Sequence, residues 1–415
     1  MNETQELLLI GPFSQLLTMD QLPIKGAIKD EQLVIISDAG ILINGNTIAE
    51  IGIFDDLKKS RNPSTSVYEL SENTVALPGF IDAHTHICYG GSRANDFAAR
   101  NGGKSYQEIA AAGGGIWSTV NHTRQYAEAD LTDAMTGRIH AMLKQGITTI
   151  EVKSGYGLNT ENEIKMLKAI KSAKEKTPAD LIATCLAAHI IPKDFNGGER
   201  EYLDYILREI LPVIKEDKLC NRFDIFIEEN AFSTDHSSRY LQALKDHGME
   251  LTVHGDQFTT GGSKVAVECG ALSVDHLEVS TQKEIDLIAK SNTIATALPG
   301  ASLGLGCAFT PCRKLLDAGA CLAIASDWNP GSAPMGQLLT QAAILSSFEK
   351  LSMAEVFAGI TFRAARALNL KDRGIIRPGL KADITMFETP NCKEILYQQG
   401  SMKVSHCMKN GVMLF

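Results

Sequence analysis

Eight short apolar runs alternate with long amphipathic stretches between residues 76 and 370, and almost every run ends in a polar or ionisable residue. This alternation is typical of repeated strand–helix units around a parallel sheet. It predicts strands at 80–86, 148–153, 182–189, 223–228, 251–254, 273–276, 293–298 and 322–327. We therefore predict a (β/α)₈ barrel, in which the C-terminal ends of the strands carry the active site.

Shorter strands separated by turns are predicted on either side of this region. Residues 1–75 contain β-branched runs at 34–36, 40–43 and 47–51, with a hairpin turn at Asn44-Gly45-Asn46. Residues 371–415 contain further candidate strands at 375–379, 382–386 and 404–412. We expect the two ends of the chain to pair into one small β domain, a β-sandwich, beside a barrel that spans residues 76–370.

Composition limits the class of protein. Of 415 residues, 44% are hydrophobic and 21% are charged, which excludes a largely disordered chain. A net charge of −9 without any Lys/Arg-rich run argues against a nucleic-acid partner. The nine scattered cysteines, the acidic start at residues 1–6 and the lack of a long apolar run predict a soluble cytoplasmic enzyme that has no membrane contact.

The strand ends supply a set of metal-ligand candidates. The first run leads into Asp82-Ala83-His84-Thr85-His86, and period-two alternation puts both imidazoles on one face. His254 ends the fifth run and Asp327 the eighth. Three imidazoles and one carboxylate suit a borderline divalent metal with a coordinated water, whose pKa the metal would lower to create a nucleophile.

Other polar residues near the strand ends are candidates for proton transfer and substrate binding. His276 ends the sixth run, where it could polarise a carbonyl or bind the metal's water, and Asp327 could move a proton to a leaving nitrogen. Arg93 follows the first run closely and could clamp a carboxylate. Tyr156 lies on a glycine-flanked loop, and Asn329-Pro330-Gly331-Ser332 offers donors just past Asp327.

Several motifs give the chain a close resemblance to the amidohydrolase superfamily and, within it, to the imidazolonepropionase family. General markers are Leu77-Pro78-Gly79-Phe80-Ile81-Asp82-Ala83-His84-Thr85-His86 and Arg377-Pro378-Gly379-Leu380-Lys381-Ala382-Asp383. More specific markers are Gly90-Gly91-Ser92-Arg93, Gly113-Gly114-Gly115-Ile116-Trp117-Ser118-Thr119-Val120, Glu151-Val152-Lys153-Ser154-Gly155-Tyr156-Gly157-Leu158, Ala187-Ala188-His189 and Asn329-Pro330-Gly331-Ser332. The resemblance covers nearly the whole length of the chain.

This resemblance implies hydrolytic opening of 4-imidazolone-5-propanoate to N-formimidoyl-L-glutamate, a step of histidine breakdown. One zinc or iron ion would be held by His84, His86, His254 and Asp327. The family's substrate-binding positions fall on Arg93, Tyr156, His189, Asn329, Gly331 and Ser332. The chain departs from the superfamily at Gln257, where glutamate is frequent; a neutral amide cannot act as a base, so we assign Gln257 to orienting the substrate.

Three questions stay open at the level of sequence. The ligand set accommodates either zinc or iron. Both Asp327 and His276 are candidates for the proton shuttle. A homodimer is expected because barrels of this kind often dimerise.

The alternatives to this function are a deaminase or cyclic amidase for another heterocycle, which would not explain Arg93, and a non-catalytic relative, which would not retain all four ligands.

Overall fold

The computed structural model describes residues 7–415, and residues 1–6, whose acidic composition contributed to the prediction of a cytoplasmic enzyme, lie outside that range. Seven strands precede the barrel: β1 (Leu7–Phe13), β2 (Gln15–Leu17), β3 (Ile35–Ile36), β4 (Ala39–Asn44), β5 (Thr47–Ile53), β6 (Ser66–Glu69) and β7 (Thr74–Pro78). β4 and β5 pair antiparallel across the turn at Gly45, which confirms the predicted hairpin.

Eight parallel strands follow and pair in sequence order, which confirms the barrel. They are β8 (Phe80–Asp82), β9 (Ile147–Lys153), β10 (Asp180–Ala188), β11 (Arg222–Ile227), β12 (Glu250–Gly255), β13 (Ser273–His276), β14 (Ile294–Ala297) and β15 (Leu322–Ile324). The first and last strands meet through a parallel bridge between Thr85 and Trp328. The backbone N–H of Asp327 also donates to the carbonyl of His84 at 3.1 Å, so the barrel closes at the predicted metal site.

Two barrel strands end three or more residues before their predicted ends, for identifiable reasons. β8 ends at Asp82 rather than at His86 because a side chain takes the place of a ladder partner: the N–H of Thr85 donates to the Glu151 carboxylate at 3.1 Å. β15 ends at Ile324, and Asp327 has a φ of 52°, which an extended strand cannot accommodate.

The C-terminal strands are β16 (Ile384–Glu388), β17 (His406–Lys409) and β18 (Val412–Met413). β16 pairs antiparallel with β7 in a six-stranded sheet ordered β18-β17-β16-β7-β2-β3, and a four-stranded sheet is ordered β5-β4-β1-β6. The two ends of the chain therefore form the additional β structure, as expected. The strand predicted at 375–379 is wrong: Gly374 and Gly379 have φ values of 80° and 85°, and Pro378 between them has no N–H to pair.

Helices cover the outside of the barrel and shield its apolar strands, such as Ile150 and Val152 of β9, in one continuous core. The helices within residues 7–415 are α1 (Phe54–Ser60), which packs on β1, β4 and β5 instead of the barrel, α2 (Ala94–Asn101), α3 (Tyr106–Ala111), α4 (Ile116–Gln125), α5 (Glu128–Leu143), α6 (Thr160–Lys176), α7 (Glu199–Tyr205), α8 (Leu211–Glu216), α9 (Thr234–Asp246), α10 (Gly262–Cys269), α11 (Gln282–Lys290), α12 (Pro299–Leu305), α13 (Cys312–Asp317), α14 (Leu338–Glu349), α15 (Met353–Gly359), α16 (Phe362–Ala367) and α17 (Lys393–Tyr397). A 3₁₀ turn spans Asp30–Gln32, and a π-helical turn, Ile206–Ile210, joins α7 to α8. Within residues 7–415, none of the helices has the length and apolar character needed to cross a membrane.

Candidate metal centre

Four donor atoms from three parts of the barrel converge at its C-terminal end. The Nε2 atom of His86 lies 3.2 Å from Nε2 of His84 and 3.3 Å from Nε2 of His254. Oδ1 of Asp327 lies 3.5 Å from Nε2 of His84 and 3.3 Å from Nε2 of His86. All four residues are buried. The sequence-predicted ligand candidates are therefore brought together around one point.

The spacing of these donors fits a bound metal ion. Around an ion with metal–nitrogen bonds of about 2.0–2.1 Å, two ligands in a tetrahedral site lie about 3.3–3.4 Å apart. Four of the six donor separations, at 3.2–3.5 Å, match this value, whereas His254 and Asp327 do not belong to one group of donors within 4.8 Å of one another. Ring nitrogens that face one another this closely without a proton to share would be unfavourable unless a cation lay between them.

Burial keeps the imidazoles in the neutral form that binds metal. It holds the pKa of His84 well below 6.5, and it lowers the pKa of His86 to about 3 and that of His254 to about 4. A neutral imidazole has a free lone pair, whereas a protonated one has none. At neutral pH all three rings are therefore ready to act as ligands.

Two carboxylates lie behind the imidazoles and were missed in the sequence analysis. Oδ2 of Asp275 is 2.7 Å from Nδ1 of His84, and Oδ2 of Asp224 is 2.9 Å from Nδ1 of His254, although the second contact is angled away from an ideal hydrogen bond. Both contacts turn the Nε2 lone pair of the ring towards the centre. A sequence signal existed: each Asp is a charged residue inside an apolar strand, β13 and β11 respectively.

His276 lies beside this cluster, at the end of β13. Its ring is 5.3 Å from that of His254, and one of its nitrogens lies within metal-ligand range of His84 and His254. Its Nδ1 is 3.3 Å from Oε1 of Glu278. Burial lowers the pKa of His276, but the contact with Glu278 and the charges of Asp327 and Asp275 outweigh burial and raise it above its ordinary value. His276 and Leu277 both have positive φ angles, 88° and 70°, so this turn is strained.

Tyr156 and His189 form an aromatic wall next to His86. The His189 ring stacks on that of His86 with centroids 5.5 Å apart, and Tyr156 lies 5.5 Å from His189. Nδ1 of His189 donates to the carbonyl of Gly155 at 3.0 Å, which leaves Nε2 as an acceptor. Burial raises the pKa of Tyr156 far above its ordinary value, so its hydroxyl remains a donor.

The loop that carries Tyr156 is held by one buried carboxylate. Oε1 of Glu163 accepts from the N–H groups of Gly157 at 2.8 Å and Leu158 at 2.7 Å, and the same carboxylate accepts from Gly155. Glu228, which follows β11, acts in the same way on the loop after β12. Its carboxylate accepts from the N–H groups of Gln257, Phe258 and Thr259. Through these backbone bonds Glu228 fixes the segment that carries Gln257.

Arg93 lies against the loop that follows Asp327. A Cβ placed on Gly331 would stand 3.2 Å from an Arg93 guanidinium nitrogen, so glycine leaves room for this side chain. Arg93 also pairs with Asp96. The amide of Asn329 is used within its own loop: it accepts from the N–H groups of Gly331 and Ser332, both at 2.8 Å, and donates to the Asp327 carbonyl. Trp328 packs over Gly336, where a Cβ would stand 2.3 Å from its ring.

Comparison with known proteins agrees with this geometry. The amidohydrolase family model matches residues 75–414. Imidazolonepropionase from Fusobacterium nucleatum is 38% identical over 410 residues, covering 98% of both chains. Imidazolonepropionase from Bdellovibrio bacteriovorus is 38% identical and covers 98% of this chain and 96% of its own. The chain belongs to the imidazolonepropionases of the amidohydrolase family. As an amidohydrolase it acts on a small-molecule substrate, and its clustered donors form a site for a divalent metal ion.

Solved structures of two other enzymes share the fold. An atrazine chlorohydrolase from Arthrobacter aurescens, complexed with zinc, superposes with a TM-score of 0.73 at 17% identity, covering 98% of this chain and 95% of its own. An adenosine deaminase from Xanthomonas campestris with bound zinc gives a TM-score of 0.71, also at 17% identity, covering 98% and 92%. At this identity the likeness concerns the architecture alone.

Proposed function

We propose that this chain hydrolyses 4-imidazolone-5-propanoate to N-formimidoyl-L-glutamate in histidine degradation. It is a hydrolase that acts on the C–N bond of a cyclic amide. One observation carries the proposal: His84, His86, His254 and Asp327 converge in a chain that matches imidazolonepropionases over nearly its full length. In the reaction, water adds to the ring carbonyl carbon, the ring C–N bond breaks, and the leaving nitrogen takes up a proton.

The four converging residues would hold one divalent ion, either zinc or iron, because both metals accept imidazole and carboxylate ligands. When bound, such an ion lowers the pKa of a water molecule towards neutrality and so supplies the nucleophile. Asp275 and Asp224 would hold two of the imidazoles in the orientation that binding requires.

Arg93 would bind the propanoate group of the substrate. Its side chain is only 13% exposed and lies against Gly331, so a carboxylate bound there would be shielded from water. A guanidinium forks onto a carboxylate through two parallel hydrogen bonds. Gly331 and Ser332 would line the same end of the pocket, and Asn329 would hold their loop in shape.

His189, Tyr156 and Gln257 would orient the ring of the substrate. The Nε2 atom of His189 is an acceptor for a ring N–H, and the Tyr156 hydroxyl is a donor. Gln257 offers both kinds of group, and Glu228 fixes its backbone. Together these residues suit a flat, polar heterocycle.

Two groups are candidates for moving the proton from water to the leaving nitrogen. Asp327 is one of them: Oδ1 of this buried carboxylate lies 3.3 Å from Nε2 of His86, so the group can contact the ion and take a proton from the water beside it. His276 is held by Glu278 and lies near the same centre. The pH–rate profiles of Asp327→Asn and His276→Asn distinguish them. A variant that lacks the proton-transferring group no longer shows the change of rate that accompanies the titration of that group.

Turnover of freshly generated 4-imidazolone-5-propanoate tests the proposed function. We expect rapid loss of its ultraviolet absorbance, with appearance of N-formimidoylglutamate, and abolition of both by a chelator. No turnover by protein with one equivalent of metal would contradict the proposal and would direct the search to another cyclic amide or amidine. A deaminase for an uncharged base would leave Arg93 without a function, so such bases serve as negative controls.

We also propose that the protein works as a homodimer in the cytoplasm. The cytoplasmic location is supported by its cysteines, all nine of which are free and lie within the described residues. The dimer is supported by the resemblance to barrels that dimerise. Light scattering on the eluting protein checks this, since a dimer has twice the 44.9 kDa mass of one chain; a single species at 44.9 kDa would contradict it.

A further inference from the structure

A buried lysine lies beneath the candidate metal centre, and no step of the proposed reaction uses it. Lys153, the last residue of β9, has a side chain that is 1% exposed. Its Nζ lies 2.8 Å from Oε1 of Glu151 and 2.8 Å from Oδ2 of Asp224, and both carboxylates are fully buried. In an apolar barrel, two such carboxylates need a cation between them to stay in place.

The two carboxylates that Lys153 contacts act on different ligands of the centre: Asp224 contacts His254, and Glu151 contacts the backbone between His84 and His86. Asp224 lies 2.9 Å from Nδ1 of His254. Glu151 accepts from the N–H of Thr85 at 3.1 Å, and Thr85 stands between His84 and His86 in the chain. The backbone of Lys153 also donates to the Thr85 carbonyl at 2.9 Å. Lys153 is therefore connected to all three imidazoles, although it touches none of them.

We propose that Lys153 is a positioning residue that holds the imidazole ligands on both sides of the metal centre through Glu151 and Asp224. The inference rests on the ligand assignment of the proposed function. Without the ammonium group, Asp224 would keep only the N–H of Ile225 and the ring of His254 as partners, and Glu151 would keep no charged partner beside Thr85 and Thr184. His254 and the His84–His86 segment would then lose their alignment together.

Metal affinity of the full-length protein tests this inference. Metal-free wild type and Lys153→Met are titrated with Co²⁺ against a chromophoric chelator, and the visible spectrum of the bound cobalt is recorded. We expect an approximately 10- to 100-fold weaker Kd for Lys153→Met and a shifted cobalt spectrum, the range found when groups behind a metal ligand are changed. Arg363→Met is the matched control, because Arg363 is another buried cation whose guanidinium donates to the carbonyls of Pro23 and Gly26 rather than to a carboxylate behind a ligand.

The outcomes separate this inference from the proposed function. A wild type that binds no cobalt would overturn the ligand assignment itself. Wild-type affinity and spectrum in Lys153→Met would overturn only the role of Lys153, as would an equal loss in Arg363→Met. If Lys153→Met does not fold, Glu151→Gln, Asp224→Asn and their double variant replace it. Coupled effects on the Kd are expected there, and strictly additive effects would overturn the inference.

Discussion

Individual residues in the centre have complementary roles that follow from burial and charge. Burial, helped by the charge of Lys153, lowers the pKa of His86 and His254 and makes both rings neutral lone-pair donors, whereas the contact with Glu278 keeps the pKa of His276 above its ordinary value in spite of burial. Two kinds of imidazole therefore lie within 5.3 Å of each other, one suited to bind a cation and one suited to give up a proton.

Replacing Arg93 tests the anion site. A hydrogen-bonded contact with a charged group is worth about 1.5–3 kcal/mol, so Arg93→Ala should lower kcat/KM by roughly 10- to 150-fold. The loss should be smaller for a substrate analogue that lacks the carboxylate. Arg208→Ala, which removes an exposed guanidinium from a distant helix, is the control. An unchanged kcat/KM in Arg93→Ala would show that the propanoate is bound elsewhere.

The pH dependence of stability tests the state of His189. Burial and the neighbouring His86 lower the pKa of His189 to about 3, whereas in the unfolded chain it is about 6.5. Between these values the unfolded state binds more protons, so the folded state loses stability as the pH falls below about 6.5. Because the ring is half-buried, we expect wild type to lose roughly 1–2 kcal/mol more than His189→Gln between pH 7.5 and pH 5.

Guanidinium unfolding at several pH values makes this measurement. The difference between the two proteins should stay constant from pH 7.5 to pH 9, where His189 is neutral in both states. Parallel stability curves down to pH 5 would show that His189 keeps its ordinary pKa in the folded protein.

At the scale of elements, loops are fixed by single carboxylates that accept several backbone N–H groups. Glu163 of α6 holds the loop that carries Tyr156, and Glu228 holds the loop that carries Gln257. Glu163 lies in the first turn of the helix that follows its loop, and Glu228 lies directly after β11, the strand next to β12, so both loops are positioned by the barrel elements. This arrangement explains how flexible, glycine-containing segments can present substrate-binding groups reproducibly.

Glu163→Gln tests this role. Glutamine would replace one carboxylate oxygen, an acceptor, by an NH₂ group, which is a donor and cannot bond to the backbone N–H groups of the loop. We therefore expect the free energy of unfolding to fall by about 1–3 kcal/mol. KM should rise because Tyr156 is no longer held. Glu161→Gln, an exposed change two residues earlier on the same helix, should leave both quantities unchanged. Equal results for the two variants, from urea unfolding and steady-state kinetics, would contradict the role of Glu163.

The elements could be predicted from sequence because their signals are local. Each strand-end residue, such as His254 or Asp327, lies within a few positions of the apolar run that precedes it in the sequence. The partners behind the ligands could not be found in this way. Asp275 is 191 residues from His84, and only the order of strands in the closed barrel brings them together. The strand predicted at 375–379 failed because two residues with positive φ override its β-branched composition.

At the scale of the whole molecule, one carboxylate connects the C-terminal segment to the barrel through ion pairs. Asp180, at the start of β10, lies 3.0 Å from Nζ of Lys381 and 2.8 Å from Nζ of Lys409, and it also pairs with Arg373. Lys409 is almost fully buried. The C-terminal strands are thereby attached to the end of the barrel opposite the metal centre.

Asp180→Asn should lower the free energy of unfolding by about 1–3 kcal/mol, because it leaves three cations with fewer partners. Turnover should be retained, since the site lies at the other end of the strands. Asp133→Asn, which breaks an exposed pair with Lys176, should change stability by less than about 1 kcal/mol. Equal urea midpoints for the two variants would contradict the importance of this cluster.

The central claim is that His84, His86, His254 and Asp327 form one metal site that performs the reaction, and metal analysis of purified His254→Ala tests it most directly. We expect close to one equivalent of metal in wild type and in His236→Ala, a surface-histidine control. In His254→Ala we expect metal to be lost, with turnover reduced by roughly a thousandfold or more and an unchanged circular dichroism spectrum. Full metal content with normal turnover in His254→Ala would contradict the account.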